Sequence, residues 1–313
     1  MNQKMTQLVL AAGFGLASMT AQAATLTAGA AVEIGNTDLD IDPILAELAA
    51  SETSVTSGSI YSGYANDYDN SNYAWATAAA NQDGWMYTTA GGDNTFKSVS
   101  HVQQSLTITN DTGVDQNYSF DFTILQGSLS AYGPWGDTLD AGEFVGAGNL
   151  VSISLDGVDL FSSAAWLLTN DTGTTLTTEG EVLGSFTGGE YYSWDGLSDT
   201  LDLGVFAAGE SFTLTYDIYT AAAGVFTPEA GGYGDGYGDD GCYSEIAEVE
   251  GECGYYDGVS AYSQFGDPNG VQGSPIAGNV QHSPVSVPEP GLWLLMGTGL
   301  FGLAIARRRV GRG

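Results

Sequence analysis

Apolar and polar residues alternate along most of the chain between residues 24 and 286, which is the period of a half-buried β-strand. The stretch "SFDFTIL" places Phe120, Phe122 and Ile124 on one side and polar residues on the other. "SFTLTYDIY" repeats this pattern at 211–219, and "LTIT" does so at 106–109. Because strands that bury one face pair into antiparallel sheets that pack together, the pattern predicts an all-β body.

A tight hairpin is predicted within "VSISLDGVDLF", because an Asp-Gly pair at 156–157 favours a two-residue type I′ turn. In that register Leu155 faces Val158 and Ile153 faces Leu160, so the apolar side continues across the turn. Strands joined in this way predict an antiparallel β-sandwich, of jelly-roll or immunoglobulin-like type.

Other local signals support short connections between strands. "TNDTG" occurs at 109–113 and at 169–173, each time after a strand-like stretch, and its Asn, Asp and Gly favour turns. The flanking similarity is too thin for a duplication, so two coincident turns are predicted. One good helix signal is present: Asp42 as N-cap and Pro43 at the first helical position precede "ILAELAA".

The charge of the body is one-sided. The chain carries a net charge of −32, and between residues 24 and 306 one lysine stands against 38 carboxylates, which gives 1 − 38 = −37. Nucleic acid is excluded as a partner, because its binding depends on Lys and Arg that neutralise phosphates. A solvated acidic surface is favoured over a dedicated cation store.

The N-terminus has the features of a secretory signal peptide over residues 1–23. One lysine precedes the apolar run "LVLAAGFGLASM", and Ala21 and Ala23 supply the small residues that signal peptidase prefers. Cleavage is predicted after Ala23. The Sec machinery and signal peptidase are therefore expected partners, and the body is expected to be exported.

Residues 229–258 differ in composition from the rest of the body. They contain nine acidic residues, nine glycines and five tyrosines, which is too polar for a core and predicts a long loop. Cys242 and Cys253 are expected to close this loop with a disulfide, because an exported chain with one closely spaced pair favours that state over free thiols.

Calcium is the one cofactor that this loop suggests, because carboxylate oxygens are the ligands that it prefers. No EF-hand or nonapeptide spacing is present, so a solvated loop without a cofactor is favoured over a specific site. The candidate ligands would be Asp235, Asp239, Asp240, Glu245 and Glu248.

The C-terminus contains a second apolar segment. Residues 291–306 carry no charge and would form a helix of about 24 Å, a little short of the roughly 30 Å hydrocarbon core. The arginines that follow should remain in the cytoplasm, which leaves the body on the exported side. These membrane-stop residues are Arg307, Arg308 and Arg309.

The tripeptide Pro288–Glu289–Pro290 stands directly before this helix and keeps the backbone extended. The motif, the apolar helix and the terminal arginines together resemble the PEP-CTERM sorting signal of exported proteins in exopolysaccharide-producing Gram-negative bacteria. The resemblance covers residues 287–309. It implies recognition and cleavage by exosortase, a transient inner-membrane anchor, and a final location at the cell surface or outside the cell.

The remaining segments complete the domain organisation. The sandwich body is predicted over 24–270, and the Pro-, Gly- and Ser-rich residues 271–286 read as a linker to the membrane. "SLTITNDTGVDQNYSFDFTI" and "LDLGVFAAGESFTLTYDIYTAA" are similar to strand–turn–strand passages of many PEP-CTERM proteins, which implies fold only.

No catalytic motif is recognisable, and the chain is expected not to be an enzyme. His101 is predicted to be an edge or turn residue rather than a general base, and His282 falls in the linker. The tryptophans are expected to fill the core more often than to form a sugar platform. Those of the body are Trp75, Trp85, Trp135, Trp166 and Trp194.

Three functions remain. The favoured one is a non-enzymatic structural or adhesive protein of the cell surface or matrix, sorted by exosortase and accompanied by exopolysaccharide. The second is a lectin-like module that binds carbohydrate or depends on calcium, which a row of exposed aromatic residues beside carboxylates would favour. The third is a secreted hydrolase, which would need two carboxylates facing each other in a cleft.

Overall fold

The computed structural model describes residues 24–38, 42–68, 72–134, 138–227, 258–266 and 276–285. Within these residues it has sixteen strands and two short helices, α1 (Asp42–Ser51) and α2 (Ile276–Asn279). The strands are β1 Thr25–Ile34, β2 Thr53–Val55, β3 Ser59–Tyr68, β4 Tyr73–Asn81, β5 Met86–Asp93, β6 Phe96–Thr109, β7 Gln116–Ile124, β8 Gly127–Tyr132, β9 Phe144–Leu155, β10 Val158–Asn170, β11 Gly173–Gly180, β12 Tyr191–Trp194, β13 Leu197–Phe206, β14 Ser211–Val225, β15 Ser260–Phe265 and β16 Val280–Pro284.

The strands form three antiparallel sheets, which confirms the predicted all-β class. Sheet A has the order β11-β10-β9-β14-β6-β1-β2, sheet B the order β12-β8-β15-β5-β4-β3, and sheet C the order β13-β7-β16. Sixteen strands exceed the roughly eight of a jelly roll and the seven to nine, roughly, of an immunoglobulin domain.

Sheet A forms one layer, and sheets B and C pack side by side against its inner face. Sheet C contacts sheet A through aromatic rings: Phe122 of β7 lies 5.1 Å from Phe161 of β10, centroid to centroid. Sheet B contacts sheet A through buried hydroxyls, such as Ser263 Oγ of β15, which donates to the Gly148 carbonyl of β9 at 2.8 Å. The main core lies between these layers.

The alternation seen in the sequence corresponds to burial in the sheets. In β7 the side chains of Phe120, Phe122 and Ile124 are buried, whereas Asp121 between them is exposed. In β14 the buried and half-buried positions alternate over the whole predicted stretch. These strands therefore follow directly from the local pattern.

The predicted hairpin at 156–157 is confirmed, together with the pairing of Leu155 and Val158, but the predicted pairing of Ile153 with Leu160 is wrong. Asp156 and Gly157 have φ values of 50° and 79°, as a type I′ turn requires, and Val158 pairs with Leu155. Ile153 pairs with Phe161 instead of Leu160, because the register shifts between Asp159 and Phe161. This irregularity turns the Phe161 ring to the inner face, where it meets Phe122.

Both "TNDTG" segments form the predicted turns with the same side-chain bonds. Thr112 donates to Asn110 Oδ1 from its hydroxyl at 2.7 Å, and Thr172 donates to Asn170 Oδ1 at the same distance. Their roles in the fold differ. The first turn carries the chain from β6 in sheet A to β7 in sheet C, whereas the second joins β10 and β11 within sheet A.

Residues 276–285 fall in the segment that was expected to be a linker, but they are folded. The strand β16 pairs with β7, with Val280 opposite Phe120. Ile276 and Val280 are buried in the main core. The alternating residues of this segment supply an edge to sheet C, so the folded body extends beyond the predicted boundary at residue 270.

Helix α1 begins at Asp42, as predicted, and packs on the outer face of sheet A. Its residues Ile44 and Leu48 form a small cluster with Ala31 and Val99. Neither helix in the described ranges is long and apolar enough to cross a membrane.

Several predicted features lie outside the described residues. These are the signal peptide, Cys242 and Cys253, the acidic loop up to residue 257 with its calcium candidates, Trp135, and the segment from Pro288 to Arg309. They stay predictions from the sequence.

Candidate functional site

His101 is the most deeply buried ionisable residue singled out by the sequence, and its predicted position at an edge or turn is wrong. It lies on β6, between β1 and β14, where it pairs with Gly29 and Tyr219. Only 3% of the residue is exposed. The short run "VSHVQQ" gave no sign of a central strand, because neighbours in the sheet come from distant parts of the chain.

Two carboxylates hold the ring of His101 from opposite sides. Its Nδ1 lies 2.6 Å from Glu52 Oε1, and its Nε2 lies 3.0 Å from Asp217 Oδ1. The ring stacks on Tyr219 with a centroid distance of 4.0 Å. The absence of a side chain at Gly29 leaves space for Glu52, since a Cβ at Gly29 would lie 2.6 Å from the Glu52 Cγ. We call these four side chains, His101, Glu52, Asp217 and Tyr219, the histidine clasp.

The histidine clasp is a closed hydrogen-bonded cluster. Each ring nitrogen of His101 already faces a carboxylate oxygen, so neither is open to a further partner. Burial, and then the charges of Asp217 and Glu52, raise the pKa of Tyr219 to about 12. The carboxylates lie on opposite ring nitrogens and cannot converge on one ion. In the described part of the chain, no group of three or more His, Cys, Asp or Glu residues could hold a metal.

The partners of His101 were not found from the sequence. Glu52 and Asp217 are 49 and 116 residues away from it along the chain. His282 is likewise part of the fold: it lies on β16, its Nδ1 is 3.2 Å from Gln116 Oε1, and its ring contacts Tyr118.

The described tryptophans divide into one core residue and three residues on outer faces. Trp194 is 4% exposed and its Nε1 donates to the Leu125 carbonyl at 3.0 Å, as a core residue does. Trp75, Trp85 and Trp166 are half-buried, and the prediction that they fill the core is wrong. Trp75 and Trp166 lie at strand positions that direct them away from the inner layer, and Trp85 lies directly before β5.

Trp166 borders a groove on the outer face of sheet A. The groove has a volume of about 310 Å³ and lies beside the histidine clasp, with Tyr219 in its wall. The Trp166 ring covers Gly148, where a Cβ would lie 2.0 Å from its Cε3. The other residues that line the groove are mainly apolar and include Leu150 and Ala164.

Trp75 belongs to a row of aromatic side chains on the outer face of sheet B. It pairs with Gly91 of β5, which in turn pairs with Tyr262 of β15. The Trp75 ring lies over Gly91 and reaches Tyr262, at a centroid distance of 6.2 Å. On its other side it stacks with Tyr73 at 5.1 Å. We call Tyr73, Trp75 and Tyr262 the aromatic face.

Further tyrosines continue this surface toward the other edge of sheet B. Tyr262 pairs with Ser130 of β8, and Ser130 pairs with Tyr191 of β12. Tyr132 lies two residues along β8 from Ser130. Tyr191 is 53% exposed and Tyr132 is 46% exposed.

Asp93 lies within the aromatic face. On β5 it pairs with Tyr73 on one side and Ser260 on the other. Burial raises the pKa of its carboxyl to about 6. Among the described residues no hydrogen bond or ion pair engages this carboxylate. Asp93 was not predicted from the sequence, because one acid among 38 carries no local signal.

Comparison with known protein families finds one match, at the C-terminal end. The PEP-CTERM protein-sorting motif matches residues 286–309, which includes Pro288, Glu289 and Pro290. A comparison with curated proteins finds no match to the chain. The motif implies export and processing by exosortase at the membrane. The chain therefore carries a PEP-CTERM protein-sorting motif, which indicates an extracellular protein sorted by exosortase.

Proposed function

We propose that the processed protein is a non-enzymatic structural and adhesive component of the cell surface or of the extracellular matrix. The observation that carries this proposal is the sorting motif at residues 286–309, because it implies that the folded body is exported. The acidic composition of the body supports it, since like charge keeps such a protein soluble and apart from polyanions.

The histidine clasp supports a structural role over a catalytic one. A general base needs a ring nitrogen that can reach a substrate proton, but both nitrogens of His101 face carboxylates. A hydrolase would need two carboxylates facing each other across a substrate. Glu52 and Asp217 are instead separated by the imidazole that binds them.

The experiment that tests the sorting route compares Glu289→Gln with the unchanged chain in cells that contain exosortase. We expect the variant to remain full-length in the membrane fraction, because the proline-flanked glutamate is the predicted recognition element. The matched control is Glu181→Gln, which alters an exposed glutamate of the body and should be processed normally. Unchanged size and destination of the Glu289→Gln chain would contradict the assignment of this motif.

The structural role itself is tested in cells that lack the protein. We expect their matrix to be less cohesive, and we expect the gene for the unchanged chain to restore it. A variant with His101→Gln that still folds should restore cohesion as well, because the clasp is proposed to have no catalytic part. A folded His101→Gln protein that fails to restore it would favour an enzymatic function.

A further inference from the structure

We propose that the aromatic face of sheet B binds a neutral polysaccharide, with pyranose rings stacking on Trp75 and Tyr262 and sugar hydroxyls donating to the Asp93 carboxylate. This inference rests on the proposed function, because it names the matrix component that a surface protein of this kind would hold. It depends on the folded body alone and makes no use of the sorting motif.

The first support is the direction in which the rings point. Strand β4 places alanines on the inner face and rings on the outer one, so the core does not need these rings. Trp75 alternates with Ala74 and Ala76, both fully buried. Tyr262 alternates with the buried Ala261 and Ser263. Aromatic side chains that the core does not use present large apolar surfaces to a partner.

The second support is the continuity of the surface. Gly91 of β5 lies between Trp75 of β4 and Tyr262 of β15. Because Gly91 has no side chain, the Trp75 ring can lie over it and approach Tyr262. A Cβ at Gly91 would lie 2.3 Å from Trp75 Cζ2, so a larger residue would displace the ring. The planes of Trp75 and Tyr262 differ by 30°, and those of Tyr73 and Trp75 by 28°.

The third support is the carboxylate of Asp93. It is half-buried beside the rings and has no partner among the described residues, which is costly for a charged group. A carboxylate accepts hydrogen bonds from hydroxyl donors, which every sugar ring supplies at its edge while its apolar face covers an aromatic ring. Stacking and edge recognition are thus available at one place.

The negative charge of the body and the length of the aromatic row favour a neutral polysaccharide over other binding partners. A body with one lysine and 37 carboxylates (38 − 1, without Glu289) repels polyanions, and a second copy of the chain would bring the same negative charge. The row from Trp75 through Tyr262 to Tyr191 crosses five strands, and alternate strands are about 10 Å apart. A linear chain of sugars can follow such a row over several units.

The test measures binding of the chain, as cells export it and purified in detergent, to polysaccharides. The neutral probes are cellulose, a mixed-linkage β-glucan and a galactomannan, and alginate is the polyanionic probe. We expect the unchanged protein to bind at least one neutral probe and not alginate. Trp75→Ala and Tyr262→Ala should each weaken that binding about tenfold, and Asp93→Asn about threefold.

The matched control is Trp166→Ala, which removes a tryptophan that also covers a glycine but lies on sheet A. It should leave binding unchanged. Thermal unfolding establishes that each variant is folded. Failure of all neutral probes, preference for alginate, self-association in place of glycan binding, or an equal loss in Trp166→Ala would each overturn the inference. The size and destination of the same variants in exosortase-bearing cells report on the proposed function separately.

Discussion

Sheets B and C pack on the same inner face of sheet A, yet strand β4 of sheet B and strand β7 of sheet C place their aromatic residues on opposite sides. In sheet C the rings of Tyr118, Phe120 and Phe122 are buried against sheet A, and the outer side is polar, where Thr200 donates to Asp121 at 2.6 Å. In sheet B the inner side of β4 is alanine and the rings of Trp75 and Tyr262 lie outside, whereas Trp194 and Phe265 at the β12 side of the sheet reach the core.

The two interfaces therefore achieve stability in different ways. Rings fill the space between sheets C and A, and Tyr118 meets Phe212 edge-on at 5.1 Å. The interface of sheets B and A contains many small residues, and buried hydroxyls reach backbone carbonyls across it. Thr169 Oγ1 donates to the Ala131 carbonyl at 2.7 Å, and Ser100 Oγ donates to the Thr89 carbonyl at 3.0 Å.

This difference indicates which aromatic residues serve the fold and which are available for another purpose. A ring in sheet C removes apolar area from water on folding. A ring on the outer face of sheet B gains less from folding, because part of it stays in contact with solvent. Position on a strand, and not residue type, decides between the two roles.

The largest expected effect is that of Phe122→Ala in sheet C. Removing this fully buried ring should lower the free energy of unfolding by about 3–5 kcal/mol, because a cavity remains where it met Phe161. Denaturant unfolding at pH 7 measures the change. A loss below about 1 kcal/mol would show that the sheet C interface does not depend on its rings.

A smaller loss is expected for Ala90→Leu on the inner side of sheet B. The alanine is fully buried between closely packed layers, so the larger side chain should cost about 1–3 kcal/mol through overpacking. The matched control is Thr213→Leu, a half-buried residue of the outer side of sheet A, which should change stability little. Equal unfolding midpoints for both variants would contradict a tight interface between sheets A and B.

Asp93→Asn should raise stability at neutral pH by about 1–2 kcal/mol, after allowance for solvent screening. Folding raises the pKa of this carboxyl from 3.8 to about 6, so the folded protein holds the proton more tightly. The protonated carboxyl therefore stabilises the unchanged protein fully below pH 3.8, and this contribution is lost as pH rises to about 6. Unfolding curves of both proteins between pH 3.5 and 7.5, roughly, should diverge over this interval, and parallel curves would contradict the effect.

The smallest expected effect on stability is that of Trp75→Ala on the outer side of sheet B. Because part of the ring stays exposed to solvent in the folded protein, its removal should cost about 1 kcal/mol, well below the loss in Phe122→Ala. The same denaturant experiment compares the two. If Trp75→Ala destabilised the protein as much as Phe122→Ala, the contrast between the two sheets would fail.

Local patterns predicted those parts of the fold that depend on neighbours in sequence. The alternation in β7 and β14, the type I′ turn at 156–157 and the start of α1 at Asp42 are all present. The pairing of Ile153 with Phe161 was missed, because the irregularity reflects packing of the Phe161 ring on a distant strand. The folding of residues 276–285 was missed because an edge strand needs a partner that the local sequence does not show.

The sequence by itself determined the route of this protein, because a sorting motif is read as a linear segment and needs no fold around it. It also determined the all-β class, since the period of apolar residues is a local property. Only the tertiary structure decided that His101 would be held by Glu52 and Asp217, and that Trp75, Tyr262 and Asp93 would share one surface. Each of these groups joins residues from separate strands, and which strands become neighbours is decided by the packing of the whole chain.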